Sequence, residues 1–117
     1  MYIGKVAELT GASRKAIRLY EELGLLPPPE RAGNYRLYTS HHLIIVSMIK
    51  RAQAVGFKLA ELVPLMEHKR LGAAFPVEFA RGAIDEKRGE IQDSIARLQA
   101  MDGELVKLKA DLALLAS

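Results

Sequence analysis

The sequence predicts a mainly α-helical protein: a winged helix-turn-helix unit followed by one long helix. Three observations predict it. Residues 3–23 carry two short apolar stripes at helical spacing, separated by Gly11. Residues 27–38 hold three consecutive prolines and then a basic, Tyr-rich stretch, Asn34-Tyr35-Arg36-Leu37-Tyr38, with the character of a hairpin. Beyond residue 77, Ile84, Ile91, Leu98, Leu105 and Leu112 recur every seven residues without a miss.

Each element follows from local chemistry. Ile3, Val6, Ala7 and Leu9 form the stripe of a first helix over residues 3–10. Ser13 is a natural N-cap for a second helix over 14–23, with Ala16, Ile17, Tyr20 and Leu23 on its inner side. Gly24 stands where a C-terminal cap is needed, and Pro27-Pro28-Pro29 forbids further helix. A turn around Ala32-Gly33-Asn34 then leads into a short strand from Tyr35 to Tyr38. Thr39 or Ser40 caps a third helix reaching about Val55, with Leu43, Ile44, Met48, Ile49 and Ala52 on its core face. A fourth helix is expected over 58–70, kinked at Pro64. Residues 1–70 thus form the winged unit, 71–77 a linker and 78–117 a coiled-coil dimerisation helix.

In the long helix, Met101, Leu108 and Leu115 occupy three of the five companion positions of the seven-residue seam; Lys87 and Ser94 occupy the other two. At about 1.5 Å per residue such a helix runs roughly 57 Å, far beyond the width of a 70-residue domain. Its seam therefore calls for a second chain, and the expected dimer interface is Ile84, Ile91, Leu98, Met101, Leu105, Leu108 and Leu112. Opposite that seam lie Gly82, Gly89, Ala96, Gly103 and Ala110, also seven apart. Either this is an undemanding solvent face, or something packs closely on it, such as helices 3 and 4 of the partner.

Composition narrows the function. Half of the 117 residues are apolar, enough for a packed core, and cysteine is absent, which removes disulfides, thiolate metal sites and thiol redox chemistry. No apolar run approaches a membrane span, and the first five residues lack the layout of a signal peptide, so a cytoplasmic protein without a membrane partner is expected. Residues 1–70 carry 11 Lys/Arg against 6 Asp/Glu, whereas residues 71–117 carry 6 against 8. A basic front and a mildly acidic rear fit a front that meets phosphate and a rear that meets protein.

The basic residues fall where duplex DNA is read. Arg14, Lys15 and Arg18 point away from the apolar side of the second helix, the first two in its opening turn. Three cations on a short helix are by themselves more often a solvated face. Their setting is different: Ala7, then Gly11 four residues on, then Ile17 six further, is the small–turn–aliphatic spacing of a helix-turn-helix. On the hairpin, Arg31, Asn34, Tyr35, Arg36 and Tyr38 supply donors and flat rings suited to phosphate or a minor groove. Strand alternation puts 35 and 37 on one face and 36 and 38 on the other. Arg36 and Tyr38 are the expected DNA contacts, and Tyr35 is open between DNA and core packing.

Taken in order, Ile3-Gly4-Lys5-Val6-Ala7, Arg18-Leu19-Tyr20-Glu21-Glu22-Leu23-Gly24-Leu25, Tyr35-Arg36-Leu37-Tyr38 and Gly56-Phe57-Lys58-Leu59 make the chain resemble the MerR family of bacterial transcription regulators. The long helix with Ile91, Leu98, Met101 and Leu105 extends the resemblance over nearly the whole chain. It implies a homodimer with an antiparallel helix pair that binds an inverted repeat in a promoter. Such regulators distort an overlong spacer so that RNA polymerase engages both promoter elements, commonly in response to a small-molecule effector. By analogy Arg14, Lys15 and Arg18 read the major groove while Tyr20, Arg36 and Tyr38 hold the backbone. Metal- and redox-sensing members rely on cysteines at the start of the long helix and after its end. Here those regions read Pro76-Val77-Glu78-Phe79 and residues 112–117, so no soft-metal site, no cofactor and no appended drug-binding domain is expected. Lys58 replaces a usual capping Ser, and His42 an acidic capping partner. An effector pocket near Met66, Phe75 and Phe79 is suggested by position alone.

No other chemistry competes. His41 and His42 project about 100° apart on a helix and cannot chelate one ion together, and His68 is alone in sequence. No phosphate-binding loop or nucleophile motif is present, and Asp85, Glu86, Glu90 and Asp93 read as a solvated helix face, so no enzyme is expected. The favoured function is a sequence-specific transcription regulator. The alternative is a DNA-organising or adaptor protein that binds broadly and recruits a protein through its long helix. A pure coiled-coil module leaves the basic wing unexplained.

Overall fold

The computed structural model describes every residue except Leu71, Ala73 and Ser117, together with the side chains of all but these and residues 68–70. Parts of the expected linker and the His68 ring thus lie outside the described residues. The elements run α1 (Ile3–Thr10), α2 (Arg14–Glu22), β1 (Glu30–Ala32), β2 (Tyr35–Leu37), α3 (Ser40–Ala54), α4 (Leu59–Arg70) and α5 (Val77–Asp111), closed by a 3-10 turn at Leu112–Leu115. They divide into two compact units, Met1–Pro76 and Val77–Ser117.

In the first unit the caps define the helices. The Ser13 hydroxyl accepts a hydrogen bond from the Ala16 N–H at 3.0 Å and starts α2. At the other end Leu25 N–H bonds Tyr20 C=O at 2.9 Å and Gly24 N–H bonds Glu21 C=O at 3.1 Å, the paired bonds of a Schellman motif. That motif needs a left-handed residue, and Gly24 supplies it with φ 76°. The wing is an antiparallel hairpin whose register sets Glu30 opposite Leu37, Arg31 opposite Arg36 and Ala32 opposite Tyr35. Its two-residue turn opens on Gly33 at φ 63°, the geometry that matches strand twist. The hairpin is tied to the chain's first residue: Met1 N donates to Tyr38 C=O at 2.7 Å and Tyr38 N–H to Met1 C=O at 2.6 Å.

Both helix starts with unusual capping residues are closed by hydrogen bonds. Thr39 caps α3, and the His42 ring closes a capping box with it. Nδ1 of His42 accepts from the Thr39 N–H at 3.0 Å while Nε2 meets Pro27 C=O at 2.9 Å, the pairing of an acceptor Nδ1 with a donor Nε2. At Lys58, the Glu61 carboxylate accepts the Lys58 N–H at 2.9 Å, and the Lys58 C=O accepts the Glu61 N–H at 2.9 Å in place of a cap hydroxyl. Pro64 does fall inside α4.

The core comprises Val6, Ala12, Ile17, Tyr20, Leu25, Leu26, Tyr38, Val46 and Ile49, with Leu59, Leu62, Val63 and Met66 of α4 packed against it. Four expected core residues are corrected: Leu9, Leu23, Ile44 and Met48 are exposed. On α3 the buried face carries His42, Val46 and Ile49 instead. The run Leu43-Ile44-Ile45-Val46 is apolar around more than half the helix, so spacing could not choose the face. The bonds of His42 to Thr39 and Pro27 choose it.

In the second unit α5 has no buried residue. Ile84, Ile91, Leu98, Met101, Leu105 and Leu108 form an uncovered apolar seam. The long helix is corrected at its end: it stops at Asp111, and Leu112 stands in the 3-10 turn that follows, where the final carbonyls lack partners one turn on. Solvated i,i+3 ion pairs flank the seam, Glu78 with Arg81, Asp85 with Arg88 and Glu104 with Lys107. A Cβ added at Gly82, Gly89 or Gly103 meets nothing within 4 Å in the protomer.

Candidate nucleic-acid interface

Helix α2 presents Arg14, Lys15 and Arg18 as exposed cations, because Ile17 and Tyr20 turn the opposite face into the core. The Arg14 guanidinium reaches back over α1: a Cβ added at Gly4 would lie 2.7 Å from Arg14 Nη2. Gly4 therefore leaves the space this guanidinium occupies.

The wing adds Arg31, Asn34 and Tyr35, all exposed. Arg31 and Arg36 are direct cross-strand neighbours, so both point to one face of the hairpin. Two like charges so placed repel, and the repulsion is relieved from outside the hairpin. Arg36 Nε donates to Glu21 Oε2 of α2 at 3.0 Å, and the Tyr38 hydroxyl donates to Glu21 Oε1 at 3.4 Å. Burial pushes the Tyr38 phenol above its ordinary range; the Glu21 carboxylate adds to the rise, while Arg36 and Arg18 oppose it. Arg18, Glu21, Arg36 and Tyr38 therefore form one electrostatic cluster joining α2 to the wing.

Two sequence-derived assignments are corrected and one is redirected. Tyr20 is 3% exposed and its hydroxyl donates to Gln53 Oε1 at 2.8 Å, which makes it a core residue rather than a surface contact. Tyr38 is 2% exposed and is likewise buried, with its hydroxyl turned to Glu21. Tyr35, in contrast, is 69% exposed and leans on Tyr2 with ring centroids 5.7 Å apart. Alternation held for Arg36 and Tyr38, which reach the same Glu21 carboxylate, but the side they share faces α2 and Tyr38 is covered there. Tyr2 and Glu21 went unselected in the sequence. Tyr2 gave no signal before its pairing was visible; Glu21 lies one turn after Arg18, a spacing that hinted at a shared face.

A basic helix-turn-helix with a cationic hairpin clamped beside it defines a winged helix DNA-binding unit. Family comparison makes the class particular. Residues 1–69 match the MerR HTH family regulatory protein model and residues 44–108 the MerR, DNA binding model, and the chain belongs to the MerR family of DNA-binding transcriptional regulators. It is similar to the HTH-type transcriptional regulator CueR of Escherichia coli O6:H1, 41% identical over 112 residues that cover 92% of this chain and 80% of the relative. Among solved structures it is similar to the transcription regulator PbrR691 of Ralstonia metallidurans CH34, solved with lead(II), at 27% identity and a TM-score of 0.63, covering 95% of this chain and 86% of that one. Its fold also matches HiNmlR, a MerR family regulator lacking the sensor domain and bound to promoter DNA, at 23% identity and a TM-score of 0.67, covering 85% and 75% of the two chains. No helix among the described residues is long and apolar enough to cross a membrane.

Proposed function

We propose that this MerR-family chain acts in the cytoplasm as a homodimer that binds an inverted repeat within a promoter and distorts the spacer for RNA polymerase. Residues 1–70 are its DNA-binding domain and 78–117 its dimerisation helix. The observation that carries the reading is the α2–wing cluster: Arg14, Lys15 and Arg18 stay exposed while Glu21 fastens the wing, with Arg31 and Arg36, to the same helix. The uncovered seam of α5 supports the dimer. The protein works by binding, with no catalytic residue. These 117 residues offer a small-molecule effector no thiolate.

Selection of genomic fragments on the purified protein at physiological salt tests this. A dominant inverted repeat in promoters is the expected result; broad retention without a shared site would favour the DNA-organising alternative. On the selected site, Arg18→Ala and Arg36→Ala should each weaken binding and lower the salt slope by about one counterion if phosphate is the contact. Unchanged affinity in both would place the interface elsewhere.

A further inference from the structure

Glu21 is out of place at the surface just described. An interface for a polyanion has no electrostatic use for a carboxylate one turn from Arg18, since it repels phosphate and cancels part of the local charge. Yet both of its oxygens are engaged. Oε2 receives Arg36 Nε at 3.0 Å and Oε1 receives the Tyr38 hydroxyl at 3.4 Å, with the carboxylate side chain 16% and the arginine side chain 29% exposed. The Arg36 contact uses one of five guanidinium N–H groups, the one nearest the aliphatic stem, and leaves the Nη end available for another acceptor. It also neutralises the member of the Arg31–Arg36 cross-strand pair that would otherwise be repelled by its neighbour.

We infer that Glu21 is a positioning residue of the DNA interface: it holds Arg36 by Nε so that the Nη end meets a backbone phosphate, and it sets the angle of the wing to α2. The inference rests on the DNA-binding reading above. Glu21 touches no DNA in this scheme. It lowers the entropy that Arg36 loses on binding, and that benefit outweighs its repulsion of phosphate. A purely structural ion pair predicts the opposite sign, because removing its charge would strengthen binding to any duplex.

The test uses the full chain and a fluorescein-labelled duplex bearing the inverted repeat that wild-type protein selects, with a scrambled duplex of equal length beside it. Anisotropy titrations compare wild type, Glu21→Gln, Arg36→Ala and the double variant. Glu21→Gln is expected to weaken binding to the repeat by about tenfold, a size typical of coupled charged pairs. The same substitution in the Arg36→Ala background should leave affinity unchanged or raise it. Higher affinity for Glu21→Gln alone, or an equal loss in both backgrounds, would overturn the inference. Should Glu21→Gln lower the folded fraction seen by circular dichroism, Arg36→Lys decides, since it keeps the charge but has no Nε. A loss matching that of Arg36→Ala supports positioning, and wild-type affinity overturns it. Wild-type protein that fails to prefer the repeat over the scrambled duplex would instead overturn the underlying DNA reading, a result independent of any variant.

Discussion

Tyr20 and Tyr38 put phenols inside a small core, and each hydroxyl needs a partner there: Gln53 for one and Glu21 for the other. Burial raises both phenols above the ordinary tyrosine range, with Glu21 adding to the rise at Tyr38. The sign follows from linkage. The folded state keeps these protons more tightly than the unfolded chain, so their contribution is complete below pH 10 and is lost as pH rises through the folded values. Urea midpoints should therefore fall as pH rises above about 10, the ordinary tyrosine pKa. Tyr20→Phe and Tyr38→Phe should each make that fall shallower; parallel profiles for both variants and wild type would show that neither phenol is linked to folding. The same two residues mark where sequence reasoning met its limit. A tyrosine suits phosphate and core alike, and only its packing distinguishes the two.

Among the elements, α5 shows most clearly how composition and surroundings separate. Its three glycines at 82, 89 and 103 each lack a neighbour that a Cβ would touch, yet each costs the helix roughly 1 kcal/mol relative to Ala. Gly89→Ala is accordingly expected to raise dimer stability by up to about 1 kcal/mol in urea denaturation. A loss of stability instead would mean that a partner helix approaches this face closely in the dimer. In α3 the element itself was legible from Thr39 and the apolar run, but its rotation was not. His42 settles that rotation by bonding to Pro27, a residue 15 positions earlier that no local pattern connects to it.

On the scale of the molecule, the first unit covers its own core, while α5 extends about 53 Å with its apolar seam uncovered. A surface of that kind is stable in water when a second seam covers it, which is the physical case for the homodimer. Leu98 lies midway along the seam and is 58% exposed in the protomer. Leu98→Asp should yield monomers by light scattering, because an unpaired carboxylate would be buried at the centre of the interface. An intact dimer would move the seam to another face of the helix.

Element order, the Gly24 and Gly33 turns, the seven-residue seam and the cationic face of α2 were all determined by the sequence. They depend on caps, backbone conformations and periodicities contained within a few neighbouring residues. What the tertiary structure decided are relations between distant segments. It turned α3 onto His42, Val46 and Ile49, seated Tyr38 in the core with its hydroxyl on Glu21, and exposed Tyr35 against Tyr2. It also brought Glu21 to Arg36 across 15 residues of chain. Such contacts arise when packed elements choose among faces of similar hydrophobicity, a choice made by the few polar groups that must find partners as they are buried.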